Sequence, residues 1–237
     1  DGGWKSDTAY LTAFLKARGG VVDAWFITHP HDDHYEAFAE ILPGNNGIEV
    51  KELYASLTDA EWYRKVCSPD DLKNYEALTA AMDSCHRKFT MLGPGDRRDI
   101  DGVRIDILSG CNPEITRNPL NNSSMTLRFS DAHKSVLFLA DLGFEGGLKL
   151  LASPQAALLP SDYVQMAHHG QNGVGEAVYQ KIQPKYCLWP TPKWLWDNDN
   201  GGGEDSGKYH TKEVRGWMER LPIQKHYRMF DGLQKIE

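Results

Sequence analysis

Along most of the chain, short apolar runs bounded by glycine, proline or asparagine alternate with stretches in which apolar residues recur every third or fourth position. Leu11, Phe14 and Leu15 share one face of a helix over Thr8–Ala17, which Ser6 or Asp7 caps and Gly19-Gly20 stops. Val21–Ile27 is an apolar run of strand length. Tyr35–Ile41 then predicts a helix, closed by Leu42-Pro43-Gly44-Asn45-Asn46-Gly47, and Ile48–Leu57 is extended again. This strand–helix–strand rhythm predicts an α/β fold.

Residues 59–89 break the rhythm. Thr58 or Asp59 caps one helical stretch, and Ser68-Pro69-Asp70-Asp71 restarts another through Leu72, Tyr75, Leu78 and Met82. Tyr63, Tyr75 and His86 fall at positions better suited to packing or surface than to ligation. From Phe89 the pattern turns to strands. Asp101-Gly102 is a hairpin signal before the alternating Val103–Leu108, and Met125–Ser130 pairs with Ser135–Ala140 through the turn at Asp131-Ala132-His133-Lys134. The return strand is apolar on both faces, as a central strand is. A helix over Phe144–Ala152, a strand over Tyr163–Ala167, a helix over Glu176–Ile182 and a strand over Lys185–Pro190 follow. Then come the Trp/Gly-rich loop of 191–208, expected to be functional or mobile, a helix over Lys212–Leu221, and strand-like pieces at His226–Phe230 and Leu233–Ile236. With no repeat or hydrophilic linker, the expectation is one domain over 1–237, carrying a helical insertion at 59–89 and the elaborated loop.

Composition narrows the picture only in part. The 237 residues, 41% hydrophobic and 25% charged, are those of an ordinary globular chain, and no apolar stretch reaches membrane-spanning length. A formal charge of −7 disfavours a generic nucleic-acid coat, although divalent ions in a nuclease site bring their own positive charge. Cys67, Cys85, Cys111 and Cys187 form no CxxC pair and read as dispersed thiols, with a disulfide left open for a secreted protein. The chain opens on Asp1-Gly2-Gly3 without methionine, so the lack of a visible leader assigns no compartment.

The candidate chemistry is concentrated at His29-Pro30-His31-Asp32-Asp33-His34, immediately after the apolar run that ends at Ile27. A helix N-cap accounts for one aspartate there, but not for three histidines within six residues. Imidazole and carboxylate together suit zinc, manganese or iron. Asp141 and His168-His169 also stand at predicted strand ends, and ligands of α/β folds collect at the carboxyl ends of strands. These groups predict two divalent ions, zinc in preference to manganese. One is held by His29 and His31, the other by Asp33, His34 and His168, and Asp141 bridges.

Thr28-His29-Pro30-His31-Asp32-Asp33-His34 resembles the HxHxDH signature of the metallo-β-lactamase superfamily, and Leu139-Ala140-Asp141 its bridging-aspartate motif. Asn121-Asn122-Ser123-Ser124, Phe138-Leu139-Ala140-Asp141 and Ala167-His168-His169-Gly170 resemble one branch of it, the hydrolase domain of ComEC-type DNA-uptake competence proteins and their stand-alone relatives. Asp1 is similar to that branch's end-of-strand aspartate, and Lys208-Tyr209-His210 to its late histidine. The resemblance implies a four-layer αββα sandwich whose first strands precede Asp1. It also implies a dinuclear hydrolase in which a metal-bound hydroxide attacks phosphorus or a carbonyl carbon.

On that resemblance Asp33 also orients the nucleophile, and His169 and His210 donate a proton to the leaving group or bind its oxygen. Between His168 and His169, strand phase prefers His168 as ligand. Asn122 and Ser123 either contact substrate oxygen or begin a strand. Trp194, with Trp189 and Trp196, either forms a box for a flat or cationic group or covers a sheet edge. The histidine that many superfamily members place between the first motif and the bridging aspartate is absent, so the ion under His29 and His31 is expected to be the more easily lost. A phosphodiester, nucleic acid or small molecule, is the expected substrate. Another ester, lactone or lactam is the alternative, as is a non-catalytic metal-binding sensing module, and no protein partner is inferable.

Overall fold

The computed structural model describes residues 1–236 and resolves into two compact units. The first comprises Asp1–Gly93 and Gly110–Met125; the second comprises Pro94–Ser109 and the chain from Thr126 onward.

In the first unit the helix α1 (Thr8–Lys16) leads into β1 (Val21–Ile27), followed by α2 (Asp32–Ile41), β2 (Glu49–Ala55), α3 (Ala60–Val66), α4 (Pro69–Ser84), β3 (Thr90–Met91) and the one-turn α5 (Pro119–Asn122). The sheet is β1-β2-β3 and wholly parallel, with Val22 opposite Val50, Ile27 opposite Ala55 and Tyr54 opposite Thr90. Exposure falls along β1 until Trp25, Phe26 and Ile27 are buried, so the strand drives its carboxyl end into the interior. Ile27, Phe38, Ile41, Leu53, Leu78 and Met82 belong to one apolar core. The insertion is therefore tied to the sheet by Leu78 and Met82, which lie four residues apart on one face of α4.

Both helices of the insertion begin on side-chain caps. The Asp59 carboxylate accepts from the Trp62 amide at 2.9 Å, and the Ser68 hydroxyl accepts from the Asp71 amide at 3.2 Å, with Pro69 in the first turn. The helix α2 starts at Asp32, three residues before the Tyr35 expected from apolar spacing. Asp32 and Asp33 occupy its first turn, where carboxylates complement the exposed amides and the helix dipole.

The second unit holds β4 (Arg97–Ile100), β5 (Val103–Ser109), β6 (Thr126–Ser130), β7 (Ser135–Phe138), α6 (Phe144–Ala152), β8 (Tyr163–Gln165), α7 (Glu176–Ile182), β9 (Tyr186–Trp189), α8 (Lys193–Trp196), α9 (Thr211–Glu219) and β10 (Lys225–Arg228). Its seven-stranded sheet runs β10-β9-β8-β7-β6-β5-β4. The hairpins from β4 to β7 are antiparallel, and β7 to β10 are parallel. The first hairpin turns at Asp101 and Gly102, both with positive φ (50° and 80°), as a two-residue primed turn requires. Leu137, Val164 and Cys187 from the parallel strands pack with Leu150, Val178, Tyr179, Val214 and Met218 from the helices in a second apolar core.

Several strands stop short of their apolar pattern. The strand β7 ends at Phe138 because Ala140 is left-handed (φ 50°), and β8 ends at Gln165. Residues 233–236 form no strand. The loop of 191–208 is folded on itself around Asn198, which is buried. Its side-chain amide donates to Asp205 Oδ1 at 3.1 Å and to the Gly207 carbonyl at 3.0 Å, while its Oδ1 accepts from the Tyr209 amide at 3.0 Å. Among the described residues all four cysteines are free, and no helix is long and apolar enough to cross a membrane.

Candidate metal centre

In the first unit β1 hands directly to the histidine motif. Thr28 and His29 are buried, His34 is buried in the first turn of α2, and His31 and Asp33 are half-buried. The three imidazoles are each held from one side. His29 Nδ1 lies 3.1 Å from Thr28 Oγ1, and His34 Nδ1 lies 2.8 Å from Asp1 Oδ2. On His31 it is Nε2 that is engaged, 3.2 Å from Asp71 Oδ1. Asp1 is itself anchored, because its carboxylate accepts from the Thr28 amide and hydroxyl, each at 2.8 Å.

The second ring nitrogens face neighbours in the motif. His29 Nε2 and His31 Nδ1 are 3.0 Å apart, His34 Nε2 is 3.7 Å from Asp33 Oδ1, and the His29 and His34 rings are 4.2 Å apart at their centroids. Two ring nitrogens this close share either one proton or one ion. Zinc–imidazole bonds of about 2.0–2.1 Å at tetrahedral angles separate two donor nitrogens by about 3.3 Å, so a small adjustment of the His29–His31 pair accommodates a metal. A carboxylate, hydroxyl or carbonyl on the far nitrogen is also how metal-binding histidines are oriented. The donor set therefore fits a divalent ion. The Asp71 carboxyl is held below its usual range, chiefly by the hydrogen bond with His31.

In the second unit Asp141 is buried at the end of the segment leaving β7. The left-handed Ala140 before it is clamped by Gln165, whose Oε1 accepts from the Ala140 amide at 2.7 Å; the Ala140 carbonyl accepts from the His168 amide at 2.9 Å. This fixes the carboxylate against the histidine pair, with Asp141 Oδ2 3.4 Å from His169 Nε2 and 3.8 Å from His168 Nε2. Both histidines have left-handed backbones (φ 48° and 55°) and follow β8 in a tight turn. The alternation of an extended strand, on which the preference for His168 depends, does not apply to such a turn. His169 Nδ1 lies 3.1 Å from the Pro190 carbonyl oxygen and His168 Nδ1 lies 3.4 Å from that of Asn172, so each ring has an anchor behind it. His29, His31, Asp33 and His34 in the first unit, and Asp141 and His169 in the second, are all donors that could hold a metal.

His210 stands exposed at the start of α9, with its Nδ1 2.8 Å from Glu213 Oε2 and its amide donating to Asn172 Oδ1. Asn122 and Ser123 are buried in the first unit. The Asn122 side-chain amide donates to the Arg117 carbonyl at 2.8 Å, and the Ser123 hydroxyl accepts from the Asn112 amide at 3.1 Å. Trp194 is exposed and meets Tyr209 edge-on, whereas Trp189 is buried and donates to His226 Nδ1 at 2.9 Å. Sequence reasoning missed Thr28, Asp71, Gln165 and Asn172. Thr28 and Asn172 lie beside the motifs they support. Asp71 carries the signature of a helix start and nothing that points to His31.

Strand-end histidines and aspartates on a mixed α/β scaffold define a candidate metalloprotein. No family model matches the sequence, and no curated protein matches it. Solved structures do match. The metallo-β-lactamase fold protein YhfI from Bacillus subtilis aligns over 96% of this chain and 81% of its own, with a TM-score of 0.54 and 12% identity. CmlA, a diiron β-hydroxylase from Streptomyces venezuelae, aligns over 88% of this chain with a TM-score of 0.51 and 10% identity; the alignment spans 44% of CmlA, less than half its length. The chain has the metallo-β-lactamase fold, as the HxHxDH resemblance implies. At these identities the likeness carries the fold alone.

Proposed function

We propose that the chain is a metal-dependent phosphodiester hydrolase in which His29, His31, Asp33, His34 and Asp141, with one or both of His168 and His169, hold two divalent ions, zinc in preference to manganese. The observation that carries this reading is the anchoring of one nitrogen of each imidazole by Thr28, Asp71 or Asp1, with His29 Nε2 3.0 Å from His31 Nδ1 and His34 Nε2 3.7 Å from Asp33 Oδ1. Bound there, divalent ions supply Lewis acidity toward a phosphoryl oxygen and bring the ionisation of water into the neutral range. The chain's own groups then divide the remaining work. The Asp33 carboxylate orients the attacking water by accepting its hydrogen bond. His210, with Nδ1 committed to Glu213, presents Nε2 as a proton donor to the leaving oxygen, and His169 is the second candidate for that role.

The phosphodiester choice rests on the resemblance to the DNA-uptake branch; esters, lactones and lactams are the alternative substrates. One observation favours the non-catalytic module. Where many superfamily members carry a further histidine, this chain has Asn121-Asn122-Ser123, and Asn122 and Ser123 are bonded inside their own unit. Because CmlA, which aligns with this chain over part of its length, is a diiron β-hydroxylase, iron joins zinc and manganese among the metals to test.

The experiment loads the purified protein with zinc, manganese or iron(II). It then follows bis-p-nitrophenyl phosphate, DNA, RNA and a panel of lactones, lactams and thioesters, before and after chelation. Metal-dependent phosphodiester cleavage supports the proposal. Cleavage confined to the carbonyl substrates selects the alternative hydrolase, and a fully loaded protein that leaves every substrate intact selects the sensing module.

A further inference from the structure

The helical segment of 59–89 carries no group of the proposed hydrolase, yet it sends one carboxylate into the histidine motif. Asp71 lies 40 residues beyond His31 in sequence, and its Oδ1 is 3.2 Å from His31 Nε2. The contact is not that of a loose surface side chain. Asp71 sits in the first turn of a 16-residue helix whose start is fixed by Ser68 and Pro69 and whose Leu78 and Met82 belong to the buried core of the first unit. Its side chain is only 26% exposed and that of His31 only 19%. The bond is made to the nitrogen that faces away from His29, since His31 Nδ1 is the atom 3.0 Å from His29 Nε2.

We propose that Asp71 is the positioning residue of the His29–His31 metal site. Its carboxylate keeps the proton on His31 Nε2, so that Nδ1 carries the electron pair offered to the ion, and it fixes the ring against rotation. This rests on the reading of the motif as a metal centre. It assigns the insertion a purpose, since it stiffens the site that lacks a third histidine. Removing a carboxylate partner of a ligating histidine typically weakens metal binding about 10–100-fold.

The test compares the wild-type protein with Asp71→Asn, which keeps the shape and loses the charge, and with Asp59→Ala, which removes the cap of the other helix of the insertion and leaves the Asp71 carboxylate in place. Two quantities are measured: the stepwise zinc affinities, by competition with a chromophoric chelator, and the tautomer of His31 in the metal-free protein, from its ring nitrogen shifts. The expected result is an Nε2–H tautomer in the wild type that becomes mixed in Asp71→Asn. The weaker zinc affinity of that variant falls about 10–100-fold, with the tighter one unchanged and Asp59→Ala like the wild type in both quantities. Wild-type affinities in Asp71→Asn, an Nδ1–H tautomer in the wild type, or an equal loss of affinity in Asp59→Ala would each overturn the assignment. A wild-type protein that takes up no ion removes the metal-centre reading and the assignment together, whereas two ions bound equally well by Asp71→Asn removes the assignment alone.

Discussion

Gly170, which closes the His168-His169-Gly170 turn, is expected to be among the least replaceable positions in the second unit. Its φ is +80°, and an added Cβ would lie 2.6 Å from Cε3 and Cζ3 of Trp189, a side chain that is 1% exposed, and 3.2 Å from Thr191 Oγ1. Two penalties follow for Gly170→Ala. A left-handed alanine costs about 1–2 kcal/mol, and forcing a methyl group against a fully packed indole costs about 1–3 kcal/mol. Thr191 has no easy escape, because its hydroxyl donates to the His169 carbonyl. The sum, about 2–5 kcal/mol, is a large share of the roughly 5–15 kcal/mol by which a domain is stable. Gly102→Ala is the control. That glycine has the same φ of +80° at an exposed hairpin tip, and nothing lies within 4 Å of an added Cβ, so only the backbone penalty applies. Urea unfolding followed by tryptophan fluorescence measures both. With a slope near 3 kcal/mol/M, the midpoint of Gly170→Ala falls by about 0.7–1.7 M and that of Gly102→Ala by about 0.3–0.7 M. Equal shifts in the two variants would refute the claim that the turn is pinned against Trp189.

Three further outcomes follow from particular contacts. Asp162 accepts from Lys185 Nζ at 2.8 Å and from the Ser135 hydroxyl and amide at 2.9 and 3.0 Å, and these bonds, that to Lys185 first, hold its carboxyl below the usual carboxylate range. A depressed carboxylate stabilises above its unfolded pKa of about 3.9 and ceases to as pH falls through the folded value. Asp162→Asn is therefore expected to lose about 1.5–3 kcal/mol at pH 7. The deficit shrinks in acid below about pH 4, and a pH-independent deficit in thermal melts would contradict this. Burial pushes the thiols of Cys187 and Cys67 up to about 12, so a thiol reagent at pH 8 should leave both largely unmodified, with the buried Cys187 protected until the protein unfolds; peptide mapping before and after unfolding reads the change, and ready modification of native Cys187 would contradict it. Thr28→Val removes the hydroxyl that bonds Asp1 and lies beside His29 Nδ1, and is expected to weaken zinc retention about 10-fold or more in chelator competition.

Much of this was legible in the residues because the informative features are local. An apolar run burying its last three residues delivers His29 whatever packs around it, and Asp101-Gly102 adopts the positive φ pair that a short hairpin demands. What was not legible depends on partners distant in sequence. Ala140 is held left-handed by Gln165, which bonds its amide and carbonyl, and by the His168 amide, and the strand before Asp141 ends earlier than its apolar pattern. His168 and His169 leave the extended conformation at once, which no alternation rule reports. Asp71 is one of two adjacent aspartates in a helix start, a composition that any capped surface helix shares. The chain also crosses between its two compact units near residues 93, 109 and 125 without a polar linker, so composition marks no boundary there.

The central claim is that the histidine and aspartate clusters bind metal as a pair of sites, and the most direct test is to count the ions. Native mass spectrometry, with elemental analysis of the same zinc-loaded sample, should find two ions per chain. Titration with chelator should remove one, assigned to His29 and His31, well before the other, and Asp33→Asn together with His34→Ala should abolish the tighter site. A folded wild-type chain that holds no ion in the presence of excess zinc, or a variant with both clusters mutated that retains its ions unchanged in number and affinity, would contradict the account.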